Sequence, residues 1–285
     1  MVILVSLMTA VIFGSGDFCG GLASKRASII QVVGGSHLVG LVGVLLVSAV
    51  SGTSAELRDL VLGAASGIFG GIGVGLLYRR LAVGPMHVVA PLTAITSAMV
   101  PAAHGVVSGE QLAVIAWLGI GTGLVAIGLV SSSSVDHDET APVTPQALIE
   151  SLLAGVGFGT MFILLDATDP GSAPWPIVGA RIVTGLGLTA VLLVIWVWGR
   201  QETLFPTDPR TWRLIAIAGL LDTMANVGFL YATGRGALAI VAVLTSLYPI
   251  ATVVLARLLL DERMTRAQGF GFVGAIAATG FIAAG

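Results

Sequence analysis

Charge is what this chain has least of. Lys, Arg, Asp and Glu make up 10% of its 285 residues, against about 25% in a water-soluble domain. With 56% of the residues hydrophobic and a mean hydropathy of +1.01, a soluble fold of this length could not hide its apolar surface. The solvent for most of the chain is therefore lipid. Cysteine is limited to Cys19, which excludes an internal disulfide framework and a cysteine-based metal site. Lysine occurs once, at Lys25 after Ser24, so no Gly-Lys phosphate loop exists and nucleotide hydrolysis is excluded as an energy source within the chain. HExxH and GxSxG are both missing, and no nucleophile–base pair can be picked out. At a net charge of −2, without a basic run, the chain does not suit nucleic acid. The sequence calls for no cofactor, no metal and no catalytic residue.

What is present is long apolar runs. A spanning helix needs about 20 mostly apolar residues, and breaking the chain at its charged and Pro/Gly clusters gives ten. They are Val2–Leu22, Ile29–Val50, Leu60–Tyr78, Met86–Val107, Leu112–Ser131, Ala147–Leu165, Trp175–Trp198, Trp212–Tyr231, Leu238–Arg257 and Ala267–Ala284. Membrane β-strands are excluded, because the runs are too long and do not alternate. Trp175, Trp196, Trp198 and Trp212 fall at span ends, where indoles favour the interface. The apolar start lacks a basic leader region, so it reads as a first membrane helix, and no soluble domain is expected after Gly285. Lys25, Arg26, Arg79, Arg80, Arg200, Arg210, Arg213, Arg257, Arg263 and Arg266 fall on one face, Arg58 and Arg235 on the other. The positive-inside rule places the first face in the cytoplasm and both termini outside.

The two halves repeat. Ser6-Leu7 and Phe13-Gly14-Ser15 recur as Ser151-Leu152 and Phe158-Gly159-Thr160. Gly75, Leu77 and Tyr78 recur as Gly228, Leu230 and Tyr231. Leu92-Thr93, Glu110, Gly119 and Gly128 recur as Leu244-Thr245, Glu262, Gly271 and Gly280. The order is colinear, and a polar stretch with Asp136, Asp138 and Glu139 separates five spans from five. Residues 1–131 form one repeat, 132–146 a linker and 147–285 the second repeat. Five is odd, so the copies enter the membrane from opposite sides. Inverted repeats recur in secondary transporters, whose solute site lies near the midplane between the copies. The expected fold is all-α and integral to the membrane, ten helices around a central cavity.

Ionisable residues within spans are costly and mark candidate sites. Asp17 suits a substrate amine or a proton, or is a span-end residue. Arg181 suits a substrate carboxylate, or snorkels toward the Trp175 end. Asp222 and Asn226, four apart, share a helix face; Asp222 is the best-placed functional acid, or else the structural counter-ion of Arg181. His37 suits a proton relay or a satisfied core position; His87 and His104 rank lower. Phe229 and Tyr248 are placed to pack against the apolar part of a solute. Gly67, Gly71 and Gly75, and Gly119 with Gly123, form small faces for close packing. Pro91, Pro101 and Pro249 can bend their helices and free carbonyls.

Leu244-Thr245-Ser246-Leu247-Tyr248-Pro249, running on to Leu260-Asp261-Glu262-Arg263, Gln268-Gly269 and Gly280, resembles the ninth-to-tenth-helix signature of the EamA-type branch of the drug/metabolite transporter superfamily. Gly109-Glu110 with Gly119 and Gly128 resembles its first-repeat counterpart, and Phe13-Gly14-Ser15-Gly16-Asp17-Phe18 its first-helix motif. The resemblance implies a secondary transporter of amino acids, metabolites or drugs in the plasma membrane, often drawn with both termini in the cytoplasm, opposite to the charge count. Its partners would be a small solute, the bilayer and protons. An intramembrane lipid-modifying enzyme and a non-transporting subunit are the alternatives.

Overall fold

A computed structural model of the chain describes residues 1–83, 86–131, 144–199, 203–260 and 265–284. Helices α1 (Val2–Ser24), α2 (Ile29–Ser51), α3 (Leu57–Val83), α4 (Met86–Val107) and α5 (Val114–Ser131) form the first half. The second half is α6 (Pro145–Asp166), α7 (Trp175–Val197), α8 (Pro209–Thr233), α9 (Leu238–Leu259) and α10 (Arg266–Ala284). Among the described residues, nine are long and apolar enough to cross a membrane, and Leu92–Val107 of α4 is a shorter apolar stretch. No strand occurs among the described residues. Val50, Phe270 and Ile276 point outward, each at least 70% exposed, which in water would be untenable and in lipid is required.

Several helices start outside the apolar runs because their caps lie there. Asp208 caps α8, accepting from the Arg210 and Thr211 N–H groups at 3.2 and 3.1 Å, with Pro209 in the first turn. The helix therefore opens at Pro209 and not at Trp212. Ser28 and Gln31 form a reciprocal capping box on α2, and Thr144 caps α6. Two spans are irregular inside. In α7, residues Ile182–Leu186 form a π-turn directly after Arg181. In α9, Ser246–Tyr248 interrupt two helical pieces, Leu238–Thr245 and Pro249–Leu260, because Pro249 brings no N–H and crowds the preceding turn.

The packing obeys a pseudo-twofold rule. Helix α1 packs on α8 as α6 packs on α3; α2 packs on α8 as α7 packs on α3; α4 packs on α6 as α9 packs on α1. The pairs α5·α10, α4·α9 and α2·α7 close on themselves. With α1 matched to α6, and so on in order, each of these contacts maps onto another or itself. The molecule is two inverted five-helix repeats. Matched glycines serve the crossings: a Cβ on Gly14 would meet the Ala251 Cβ of α9 at 2.8 Å, and one on Gly159 the Val100 Cβ of α4 at 2.6 Å.

Contacts fix the two faces. Val2 lies against Gly236, the Arg58 guanidinium donates to the Ala167 carbonyl at 3.0 Å, and the Trp175 indole donates to the Thr53 carbonyl at 3.1 Å. The start of α1 and the end of α10 belong to this terminal face, with Ile282 of α10 against Gly119 of α5. On the opposite face, which we call the linker face, the Gln31 amide donates to the Thr203 carbonyl at 3.1 Å and Arg26 stands 3.9 Å from Asp208. An apolar cluster including Phe13, Phe162, Leu165, Ile177, Phe229 and Leu238 fills the terminal half. A second one joins α4, α5, α9 and α10 through Ala98, Ile120, Ile127, Val243 and Leu244. The linker acids Asp136, Asp138 and Glu139, Arg200, and the segment Asp261-Glu262-Arg263 lie outside the described residues. So do the side chains of Tyr78, Arg79, Arg80, His87 and Pro91.

Candidate functional site

A cavity of about 630 Å³ lies at the seam between the repeats, within the size range of small-molecule sites. Its deep end is lined by Phe13, Phe162, Ile177 and Asn226, and its lining runs up to Lys25, Ile29, Leu77, Ser131, Arg257 and Gln268 at the linker face. It therefore opens toward the linker face, while the apolar cluster described above packs the terminal half beneath it. The repeat-matched Phe13 and Phe158 both line it, so the seam is built from equivalent positions of the two halves.

Three helices converge on Arg181 at the cavity wall. It is 5% exposed. Its Nη2 donates to an Asp222 carboxylate oxygen across the α7–α8 contact. Its Nε donates to Thr223 Oγ1 at 3.3 Å, and its Nη1 lies 3.2 Å from His37 Nε2 on α2. The His37 tautomer follows from its other neighbour. Thr184 Oγ1 donates to the Ala180 carbonyl at 2.9 Å, so with a single proton it must accept from His37 Nδ1, 2.7 Å away. Nδ1 then carries the ring proton and Nε2 accepts from Arg181. The π-turn is what carries Thr184 to this position, one further example of such turns at polar sites.

Asp222 is braced from its own helix: the Asn226 amide donates to the Asp222 carbonyl at 2.8 Å and leans on its carboxylate at 3.4 Å. The Asp222 side chain remains 34% exposed, so one carboxylate edge faces the cavity. Asp17 stands on the neighbouring helix, where Gly16 of α1 lets the backbone approach Asp222. Its carboxylate is open to the cavity and, among the described residues, has neither hydrogen bond nor ion pair. Tyr248 and Pro249 line the cavity at the α9 break.

The structure thus gathers Asp17, His37, Arg181, Asp222, Asn226 and Tyr248 into one site. Phe229 does not join them. It is fully buried and stacks on Phe162, ring centroids 4.3 Å apart, so that Phe162 and not Phe229 meets the cavity. Gly67 packs against the Ala180 backbone, Gly71 lies along Thr184, and both also line the cavity; Gly75 meets nothing within 4 Å. Thr184 and Thr223 escaped sequence reading. Threonine is unremarkable in a membrane span, and the only available signal was the spacing of Thr223 next to Asp222.

The terminal side is fastened by Glu110, which the sequence marks as a repeat match and as part of the family resemblance, without a structural role. The Glu110 carboxylate, in the α4–α5 connection, accepts from the backbone N–H of Leu238 and, at 3.0 Å, of Ala239. It thereby caps α9 from the other repeat, with its negative charge at the positive helix end.

Curated proteins give no match. Among solved structures, one titled "Crystal structure of protein" aligns over 98% of this chain and 95% of its own, with a TM-score of 0.80 at 12% identity; at that identity the likeness speaks for the fold alone. The model of the EamA-like transporter family matches twice, over residues 1–132 and 146–284. Two matches that together span nearly the whole chain, on ten helices in paired inverted repeats, make this chain a multi-pass membrane protein that belongs to the EamA-like transporter family.

Proposed function

We propose that the protein is a secondary transporter that exports a small organic solute across the plasma membrane by alternating access, and that it is not an enzyme. The observation that carries this reading is the one-sided cavity at the repeat seam. It opens toward the linker face, while packed side chains and the Glu110 cap hold the terminal half together. A site near the midplane between inverted repeats, open to one side at a time, is the arrangement alternating access needs. The linker face is the one to which the positive-inside rule gives the cytoplasm. The described state is then the inward-open one, ready to load a solute for export. Residues 1–131 and 147–285 act as the two moving units, joined by the linker 132–146.

The site also bears on coupling. Arg181, Asp222 and His37 satisfy one another, so Asp17 is the group free to exchange a proton. The test is exchange in proteoliposomes containing only this chain. Vesicles preloaded with an accepted solute take up its labelled form against dilution, and protein-free vesicles do not. If no solute in a broad metabolite and drug panel is exchanged by protein that is folded and inserted, the transport reading falls.

A further inference from the structure

At the floor of the cavity the charges do not cancel, and the remainder there is negative; the other two charged residues of the lining, Lys25 and Arg257, stand at the mouth. The floor carries two carboxylates, Asp17 and Asp222, against one guanidinium. That guanidinium is already engaged: Asp222, His37 and Thr223 each take one of its nitrogens, and it is 5% exposed. A solute carboxylate would have to compete with Asp222 for this buried guanidinium, and displacing Asp222 would leave a carboxylate unpaired inside the membrane. Asp17, open to the cavity, has no partner among the described residues. Around it the lining is aromatic and aliphatic, with Phe13, Phe18, Phe158, Phe162 and Tyr248. Aromatic faces attract cations as well as apolar groups.

Building on the transport reading, we propose that the solute class is an organic monocation with an apolar, aromatic-bearing body, its positive charge held by Asp17. An anion would meet net repulsion at the floor. A zwitterion would bring a carboxylate for which no free donor pair exists there. A neutral solute would gain nothing from the Asp17 charge, whereas a cation can take the place of the proton that Asp17 exchanges. Lys25 and Arg257 at the mouth oppose cation entry only weakly. Both are exposed at the open end, where salt screens charges beyond about 8–10 Å.

The experiment uses pairs of probes matched in shape and different in charge. Purified full-length protein in detergent is dialysed against tetraphenylphosphonium or tetraphenylborate, and against benzyltrimethylammonium or the neutral neopentylbenzene. At least one cation is expected to bind saturably, about tenfold or more tighter than its counterpart. Asp17→Asn is expected to lose that preference and Asp17→Glu to keep it. The melting temperature and monodispersity of both variants report whether they fold. Equal binding within both pairs, no saturable cation binding, or undiminished cation binding by folded Asp17→Asn overturns the proposal. Exchange assays in proteoliposomes separate the two claims. Protein that exchanges neutral, zwitterionic or anionic solutes but ignores both cations keeps the transport reading and refutes the cation assignment. Protein that binds the cations but exchanges nothing does the reverse.

Discussion

At the scale of single residues, the Arg181 cluster divides what charge alone can reveal from what it cannot. Ionised groups inside spans are rare enough to be conspicuous, so Asp17, Arg181 and Asp222 were legible as a set, and so was the Arg181–Asp222 pair. Their geometry was not, because it depends on Thr184 and Thr223, whose hydroxyls are common in membrane helices and ordinarily bond back to their own backbone. Phe229 was misplaced for a related reason. It stands seven residues from Asp222 and so on the same helix face, but two turns further along α8 that face has left the cavity and entered the packed terminal half. The pair carries a prediction. Asp222→Asn removes the counter-ion of a buried guanidinium, a loss of about 3–5 kcal/mol for a fully buried pair and toward the lower end here, because Asp222 is one-third exposed. The melting temperature in detergent should fall clearly. The double change Arg181→Met with Asp222→Leu should recover part of the loss, since it leaves no lone charge. A double variant no more stable than Asp222→Asn would show that the pair is not what Arg181 needs.

At the scale of elements, the apolar runs located all ten helices, because length and hydrophobicity are properties of the sequence itself. Ends and interruptions were less legible. The start of α8 is set by the Asp208 cap outside the apolar run. The π-turn in α7 contains Gly185 but no proline, and glycine is too common in this chain to mark it. The Pro249 break in α9 was the exception, because proline states its own constraint. Asp208 gives a pH prediction. The Thr211 hydroxyl at 2.8 Å, the Arg210 N–H and the Thr211 N–H hold its carboxyl below the usual range, with Arg26 adding to the effect. A carboxyl depressed in the folded state stabilises it fully above the unfolded-state pKa and loses that effect as pH falls through the lower folded-state value. Wild-type melting temperature should therefore drop on acidification below about pH 4 more than that of Asp208→Asn, which has no charge to lose. Equal slopes would remove the cap from the acid response. Glu110 gives a second test. With Cys19→Ser as background and Leu165→Cys as the reporter in the terminal half, Glu110→Gln should raise labelling by a membrane-impermeant maleimide about tenfold, because a neutral amide offers α9 a weaker cap with a single acceptor oxygen. Unchanged labelling would mean that the apolar cluster alone keeps that face shut.

At the scale of the whole molecule, the pseudo-twofold rule makes the one-sided cavity a statement about two states. The principal contacts on one side have counterparts on the other, α1 on α8 with α6 on α3 and α4 on α6 with α9 on α1, so these shared crossings do not themselves prefer the linker face as the open one. The preference lies in side chains that differ between the repeats, such as Phe229 stacked on Phe162 in the terminal half. If the halves trade conformations, the walls of the present mouth must move relative to each other in every transport cycle. Leu77 on α3 and Ala256 on α9 line that mouth from different repeats. Cysteines at these two positions, in the Cys19→Ser background, bridged by a flexible bismaleimide, should arrest exchange in proteoliposomes when the linker is short and spare it when the linker is long enough to follow the motion. Either cysteine labelled singly should leave exchange near normal. A short bridge that forms completely and leaves the exchange rate unchanged would show that the mouth does not move, and a cavity whose mouth never moves cannot serve alternating access.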